Sequence, residues 1–523
     1  MTISFVLNGE PISIDAIDPN TTLLHWLRSS GRTGTKEGCA EGECGACAVA
    51  WKATGTHGEP RWEVVNSCLV LLPSAHGREL RTAEGLLREG ELHPVQACMA
   101  EAGGSQCGYC TPGFVVSLFG EYYRGENGPL DPESIAGNLC RCTGYKPIRE
   151  AAEKLATIRT KEAQSGLRDA FKKSLDVPLP ALAALHYTAP SGPGATSTSR
   201  TFERPTRLLE AAVFLRDHPN AVIVSGGTDV VVEVNQRQRR LETVLSLEAI
   251  PELRQIDETP SFLTLGAGLS LASLEELLHG RGLPLLAELL PLFSSRLIRT
   301  RATLGGNLGT ASPIGDSPPV LLALDAEVEL VRASVDASTT GSVKETLVRR
   351  WVPLAGFFVS YRKTLLAPEE LIANVRIPKP YAAIQRFYKV SKRTMDDISS
   401  VAAAFALDVD AQGHVTRARL AFGGVAATPT RLTIIEDALM GQKLDMKTMK
   451  TLAAQAKTLV TPLDDHRASA RYRREMVGNL LEKLAVETGT QTGMQTGTQT
   501  GTQTGTQTGT QTGTQTGMQA VSR

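Results

Sequence analysis

The stretch Cys39-Ala-Glu-Gly-Glu-Cys44-Gly-Ala-Cys47 decides the fold of the first part of the chain. Four residues separate its first two cysteines, two separate the next pair, and Cys68 follows after a segment that reads as a hairpin. This is the plant-type spacing for a two-iron, two-sulfur cluster, which needs four thiolates. Structural zinc sites usually contain two C-x2-4-C pairs, which this set lacks. The spacing therefore predicts a 2Fe-2S cluster on these four cysteines.

Glycines surround the thiols of this loop. A 2Fe-2S cluster with its thiolates is a negative object that needs hydrogen-bond donors around it. Gly38, Gly42 and Gly45 allow the backbone to wrap closely, with N–H groups free to point at sulfur.

A second set of cysteines consists of Cys107-Gly-Tyr-Cys110 and, much later, Cys140-Arg-Cys142. The single residue inside the later pair is too tight for an ordinary zinc knuckle, yet both thiolates can reach the same or adjacent irons. We expect a second 2Fe-2S cluster on these four cysteines. Cys98 is left over, and we expect it to be buried as a small hydrophobic side chain.

Two longer motifs contain this second set: Gln106-Cys-Gly-Tyr-Cys-Thr-Pro-Gly113 and Gly137-Asn-Leu-Cys-Arg-Cys-Thr-Gly-Tyr145. They resemble the second iron–sulfur domain of the molybdenum hydroxylases. The chain as a whole is similar to the iron–sulfur/FAD subunit of the purine-oxidising members of that family. The resemblance implies that Gln106 lies near a molybdopterin held by a partner subunit.

Composition sets outer limits on fold and location. The 523 residues predict three or four domains, and a hydrophobic content of 41% allows sizeable cores. A formal net charge of zero gives no reason to propose nucleic acid or an anionic membrane as a partner. Residues 1–10 lack the regions of a signal peptide, and no apolar run is long enough to span a bilayer. We therefore expect a cytoplasmic protein whose cysteines bind metal.

Local patterns predict a multidomain α+β fold. Strands at 3–7 and 11–14 joined at Asn8-Gly9, a helix after Thr21 or Thr22, and two further strands indicate a ferredoxin-like 2Fe-2S domain over residues 1–85. Helical patterns at 93–102, 112–123, 132–138 and 146–157 indicate a four-helix 2Fe-2S bundle over residues 86–160. Two of these helices begin just after cysteines, where their positive ends favour a negative cluster. Residues 161–200 are rich in Ala, Pro, Ser and Gly and read as a passive linker.

Two glycine-containing loops follow the linker. Ala221-Val-Ile-Val-Ser-Gly-Gly-Thr-Asp229 is an apolar strand running into a double glycine, which alone also fits an ordinary strand-to-helix turn. The second loop runs from Thr303 to Asp316, and two such loops suit a dinucleotide pyrophosphate. Gly266-Ala-Gly268 lacks the third glycine of a Rossmann fingerprint.

This region resembles the flavin part of the same family. The resemblance implies a non-Rossmann α+β FAD-binding domain over residues 201–380 and an α+β C-terminal flavoprotein domain over 381–487. Without it, Phe293 and Ile372 fit core positions, Asp316 a helix cap and Lys389 a solvated charge. The Gly-Thr-Gln-Thr repeat of residues 488–523 cannot bury a core, so we expect disorder. The FAD contacts that the resemblance implies are Ile223, Val224, Ser225, Gly226, Gly227, Thr228, Asp229, Val230, Phe293, Thr303, Leu304, Gly305, Gly306, Asn307, Thr310, Ser312, Asp316, Ile372 and Lys389.

Membership of this family implies an electron-transfer function without catalytic residues on this chain. A partner subunit with a molybdenum–pterin cofactor would hydroxylate a purine, and two electrons would pass through the clusters to FAD and then to NAD⁺. The resemblance further implies a permanent complex, an (αβ)2 heterotetramer. Related enzymes acting on aldehydes, carbon monoxide or aromatic rings are the alternative. An iron–sulfur redox sensor, a different class, would not need two dinucleotide-type loops.

Overall fold

The computed structural model describes residues 2–125, 128–189, 199–336, 344–394 and 396–497. Over these residues the chain forms five sheets, with helices placed between and around them. No helix in the described part of the chain is long and apolar enough to cross a membrane.

The first domain is the predicted ferredoxin-like unit. Asn8 and Gly9 both have positive φ, 54° and 91°, as a tight hairpin turn requires, and Thr22 caps the helix by accepting from the N–H of His25 at 3.2 Å. The mixed sheet has the order β2-β1-β5-β3-β4. Its elements are β1 (Ile3–Leu7), β2 (Glu10–Ile14), α1 (Leu23–Ser29), β3 (Ala48–Thr54), β4 (Pro60–Asn66) and β5 (Glu79–Arg81).

The second domain is helical, as predicted, but its third predicted helix is short. The segment expected to be helical at 132–138 is a 3-10 turn, Pro132–Ile135, because the chain then passes Ser295 at Gly137, where a side chain would not fit. The helices of this domain are α2 (Pro94–Glu101), α3 (Thr111–Tyr122), α4 (Lys146–Ser165) and α5 (Ala170–Lys173).

The linker prediction for residues 161–200 is wrong for the part that the structure describes. Helix α4 continues to Ser165, and Phe171 on α5 packs into the core of the helical domain. Strand β6 (Leu185–Thr188) joins a sheet, and the hydroxyl of Tyr187 on it donates to the carbonyl of Ile17 at 2.9 Å. The buried side chains of Phe171 and Tyr187 hold this segment in place, and the average composition of the segment does not reveal such single residues. Pro190 and Pro193 lie outside the described residues.

The flavin-type region contains three sheets, one of them the two-stranded β14-β15 pair, and most of the remaining helices. A small sheet of order β6-β7-β9-β8 includes β7 (Thr201–Arg204), β8 (Val222–Val224) and β9 (Thr243–Ser246), with α6 (Leu208–Asp217) and α7 (Val230–Gln236) between its strands. A larger antiparallel sheet has the order β10-β11-β16-β12-β13. Its region comprises β10 (Ile256–Glu258), β11 (Phe262–Gly266), α8 (Leu271–Leu278), α9 (Pro284–Leu292), α10 (Arg296–Arg299), α11 (Leu304–Thr310), α12 (Ser317–Ala323), β12 (Glu327–Asp336), β13 (Lys344–Pro353), β14 (Phe358–Ser360), β15 (Lys363–Thr364) and β16 (Leu371–Pro378).

The last region is an antiparallel sheet covered by helices. Its strands, in the order β17-β18-β19-β20, are β17 (Ile384–Val390), β18 (Val401–Val409), β19 (Val415–Gly423) and β20 (Thr430–Arg431). The helices are α13 (Thr433–Leu439), α14 (Met446–Leu459) and α15 (Ala470–Gly497). Disorder was expected from residue 488, but α15 continues to Gly497, since extending an existing helix costs less than starting one. Residues 498–523 lie outside the described residues.

Strand β3 joins three of these regions because its two faces pack into two different cores. Side chains alternate across a strand, so Cys47, Val49 and Trp51 face one core while Ala48 and Ala50 face another. The first core continues into the small flavin-region sheet, and the second is the core of the helical domain. The iron–sulfur and flavin regions are therefore packed as one body at β3.

Candidate functional site

The first cysteine set converges as two pairs of thiols. The Sγ atoms of Cys47 and Cys68 lie 3.3 Å apart, with both residues buried. Cys39 and Cys44 form the other pair. The hydrogen bond between their side chains lowers the pKa of Cys39 to about 5, and it outweighs burial, which acts to raise that pKa. A 2Fe-2S cluster with four thiolates needs two of them on each iron, so the donors fit this group.

The loop around these thiols is shaped for close contact. A side chain at Gly38 would place its Cβ 2.7 Å from the sulfur of Cys44, which explains the glycine there. Gly45 has φ of +65°, and a Cβ on it would lie 2.5 Å from the carbonyl oxygen of Gly137. The loop is thus tightly wrapped and presses on the helical domain.

The second cysteine set also forms two pairs, Cys107 with Cys142 and Cys110 with Cys140. Helix α3 begins directly after Cys110, and α4 begins four residues after Cys142, close to where the sequence predicted helix starts. Cys107 and Cys142 are exposed, so this set lies at the surface of the chain. In the described residues no three His, Cys, Asp or Glu side chains are grouped closely enough to hold a single metal ion.

Hydrogen bonds connect the two cysteine sets. The backbone N–H of Leu139, the residue before Cys140, donates to the carbonyl of Cys44 at 3.0 Å. The side-chain amide of Asn138 donates to the carbonyl of Gly45 at 3.2 Å. The hydroxyl of Tyr109 donates to the carbonyl of Glu37. The two sets are therefore adjacent.

The predicted flavin residues lie together around one cleft of about 960 Å³. All nineteen line it except Leu304, which is buried in the core behind, and Lys389. The first glycine loop packs against the residues just before the second, where a Cβ on Gly226 would lie 1.8 Å from the carbonyl oxygen of Arg301. Their role in FAD binding stays a prediction, and the structure supplies a cleft of suitable size for it.

Lys389 lies behind the wall of the cleft and contacts a residue that lines it. Its ammonium group is buried, lies 3.0 Å from a carboxylate oxygen of Asp316, and donates to the carbonyl of Leu292 at 2.7 Å. The other carboxylate oxygen of Asp316 accepts from the hydroxyl of Ser399 at 2.6 Å. Asp316 makes no side-chain cap to α12, and the side chain of Lys389 is buried rather than solvated, so both alternative interpretations of these residues are wrong.

Several cleft residues were absent from the sequence-based prediction. Tyr361 and Arg362 come from the turn between β14 and β15, and Asp397 and Ile398 come from the loop after β17. Nothing in their local sequence marks them, because they reach the cleft only through the packing of separate regions.

Two further lining residues belong to the cysteine loop itself. Glu41 and Glu43 of the first set contribute to the wall of the flavin cleft. Burial raises the pKa of the Glu43 carboxyl, and the nearby Glu41 and Asp396 add to that effect. Burial likewise raises the pKa of Asp229 within the first glycine loop. The first cysteine set therefore borders the flavin cleft directly.

Comparison with known families gives four matches along the chain. Residues 5–72 match a 2Fe-2S iron-sulfur cluster binding domain, and residues 82–153 match a [2Fe-2S] binding domain. Residues 197–380 match the FAD binding domain in molybdopterin dehydrogenase, and residues 386–488 match the CO dehydrogenase flavoprotein C-terminal domain.

Curated relatives agree with these matches. A xanthine dehydrogenase from Emericella nidulans is 32% identical over 84% of this chain and 35% of its own length. One from Drosophila pseudoobscura pseudoobscura is 33% identical over 92% of this chain and 38% of its own. The chain thus spans a little over a third of the relatives it matches. A solved carbon monoxide dehydrogenase from Hydrogenophaga pseudoflava is 27% identical, with a TM-score of 0.49 over 55% of this chain and 95% of that one.

These matches identify the chain as a member of the molybdenum hydroxylase family. It carries the electron-transfer part of such an enzyme, with two 2Fe-2S domains and one FAD-binding domain.

Proposed function

We propose that this chain is the electron-transfer subunit of a xanthine dehydrogenase. Electrons taken from hypoxanthine or xanthine at a molybdenum–pterin cofactor on a partner subunit pass through two 2Fe-2S clusters to FAD and then to NAD⁺. FAD supplies the step between one-electron carriers and a hydride acceptor. No residue of this chain acts on the purine.

The observation that carries the proposal is the order of sites along one path. The second cysteine set is exposed, the first set lies between it and the flavin cleft, and Glu41 and Glu43 bring the first set to the cleft wall. Hydrogen bonds between the sets, including that from Leu139 to Cys44, fix their spacing. A relay from surface to cleft needs this order.

The residues of this chain bind and position the carriers. Thiols of Cys39, Cys44, Cys47 and Cys68 would hold the first cluster, and those of Cys107, Cys110, Cys140 and Cys142 the second. Loops 223–230 and 303–307 would receive the FAD pyrophosphate and ribityl chain. The buried pair of Lys389 and Asp316 would keep the cleft wall rigid beneath the flavin.

The partner would cover the surface around the second set. Gln106, Tyr109 and Leu139 are exposed there, and within the described residues the side-chain amide of Gln106 makes no hydrogen bond. An exposed amide beside a cluster is free to meet a pterin, and a permanent subunit interface would hold the pterin against the Gln106 loop. We propose an (αβ)2 heterotetramer in the cytoplasm.

Purine as substrate is supported by the names of the curated relatives, which are xanthine dehydrogenases. The family models for the flavin region are also shared with other molybdenum hydroxylases. An enzyme acting on an aldehyde, an aromatic ring or another N-heterocycle is therefore the second candidate. The copurifying large chain and its activity on xanthine distinguish the two.

The test assays both half-reactions of the full chain, loaded with FAD and iron–sulfur clusters. Alone, it should oxidise NADH with a dye as acceptor and leave xanthine unchanged. With the large chain added, it should couple xanthine oxidation to NAD⁺ reduction. Xanthine oxidation by this chain alone would refute the proposal, and failure to turn over NADH would remove its nicotinamide half.

A further inference from the structure

Helix α7 has one end at the flavin cleft and the other on the first cysteine set. Its first residue, Val230, closes the glycine loop that lines the cleft. At its last turn, the side-chain amide of Asn235 donates to the carbonyls of Ala40 at 2.9 Å and Cys68 at 2.8 Å. The amide of Gln236 donates to the carbonyl of Cys39 at 2.8 Å.

These three hydrogen bonds join parts of the set that are far apart in sequence. Cys39 and Ala40 belong to the cysteine loop, whereas Cys68 follows β4, and one amide group connects the two segments. Ala40 has φ of +56°, a left-handed conformation that a residue with a side chain keeps only when its surroundings enforce it. Asn235 supplies that restraint through the Ala40 carbonyl.

The body of α7 is fixed between these two ends. Val231 and Val234 are buried in the core that also contains Leu69 and Cys68. A helix of seven residues is about 10 Å long and stiff at that length, so a shift at one end moves the other. The helix therefore forms a rigid connection between the flavin loop and the backbone around the first cysteine set.

We propose that Asn235 and Gln236 are positioning residues that couple occupancy of the flavin cleft to the geometry of the first cluster. FAD ordering the loop at Val230 would set the amides against the cysteine carbonyls, and an intact cluster would in turn favour FAD. Thermodynamic coupling of this kind is reciprocal. The inference rests on the proposed function only in requiring that FAD and a 2Fe-2S cluster occupy these sites.

The test uses the full-length chain and the electron paramagnetic resonance (EPR) spectrum of its reduced clusters, with and without FAD. The wild-type signal of the first cluster should change when FAD is removed. Asn235→Asp, which has the same shape without the donor, should abolish that change and weaken FAD binding about 5- to 10-fold, as expected for loss of one or two hydrogen bonds. Asn235→Gln keeps an amide donor and should restore part of the response. Arg237→Ala, on the exposed side of the same helix end, should behave as wild type.

The outcomes separate this inference from the proposed function. If the wild-type protein holds both clusters and FAD, and Asn235→Asp keeps the FAD-dependent change, then the coupling is refuted and the relay remains. An identical first-cluster signal with and without FAD in the wild type would refute it equally. Absence of either cluster or of FAD binding in the wild type would overturn the proposed function, and the coupling with it.

Discussion

The two cysteine sets use the same four-thiol chemistry in opposite surroundings. In the first set Cys47 and Cys68 are buried, and the flavin region covers the loop through α7 and the shared core below β3. In the second set Cys107 and Cys142 are exposed at the ends of loops on the helical domain. An electron carrier between two sites of one chain can be enclosed, whereas one that receives electrons from another molecule must stay near the surface. We infer from this difference that the exposed set would receive electrons from a partner and the enclosed set would pass them to the flavin.

The largest expected effect comes from removing one cluster at a time, which tests whether each cysteine set holds a cluster of its own. The wild-type chain should contain about four irons and four labile sulfides, because eight cysteines in two complete sets hold two 2Fe-2S clusters. Cys44→Ser should lose the enclosed cluster and Cys142→Ser the exposed one, each leaving about half of the iron. Iron analysis and EPR spectroscopy measure this, and Cys98→Ser is the matched control. Stoichiometric zinc in place of iron would contradict both assignments.

The order of reduction tests whether exposure predicts function. In complex with the large chain, substrate should reduce the second cluster of Cys44→Ser while its FAD stays oxidised. In Cys142→Ser neither the first cluster nor FAD should be reduced by substrate. Stopped-flow absorbance with freeze-quenched EPR samples follows each centre separately. Rapid flavin reduction in Cys44→Ser would show that electrons bypass the enclosed set.

Acid should affect the exposed set before the enclosed one. His93 is fully buried in the helical domain among aromatic rings, and burial, aided by Arg88, lowers its pKa from 6.5 to about 3. Between those values the unfolded chain binds a proton that the folded domain cannot, so stability falls as pH falls, by about 1.4 kcal/mol per pH unit at most. Denaturant unfolding from pH 7 to pH 5 should show this slope together with loss of the second-cluster signal.

A neutral replacement provides the control for that slope. His93 accepts from the N–H of Val95 at the start of α2, and asparagine at this place keeps a cap acceptor without a titrating ring. His93→Asn should therefore be less stable overall because of its smaller side chain, yet lose most of the pH dependence between pH 7 and pH 5. An unchanged slope would show that other groups cause the acid sensitivity.

The comparison also separates what sequence could predict from what it could not. Cysteine spacing predicted both thiol sets, and glycine-rich sequence predicted that two loops bind a dinucleotide pyrophosphate, because short motifs carry these features locally. Both loops line the cleft, and the pyrophosphate remains a prediction. Glu41 and Glu43 were not predicted to line the cleft, nor Phe171 and Tyr187 to anchor the supposed linker. Such contacts depend on how separate regions of the chain pack together, which no local pattern around these residues reports. The division of β3 between two cores is likewise visible only when both partners are in place.

The smallest expected effect concerns the contact between the two sets. The hydroxyl of Tyr109, beside Cys110, donates to the carbonyl of Glu37, two residues before Cys39. Because Tyr109 is about half exposed, at 48%, removing this hydrogen bond with Tyr109→Phe should cost about 0.5–1 kcal/mol in unfolding free energy. Iron content should stay unchanged, and electron transfer from the second cluster to the first should slow as the loops loosen. Tyr145→Phe is the matched control, since its hydroxyl accepts from the N–H of Cys140 within the second set alone and should alter only the second-cluster signal. Loss of a cluster in Tyr109→Phe would instead mean that this side chain supports its own set, and the contact between the sets would then rest on Asn138 and Leu139.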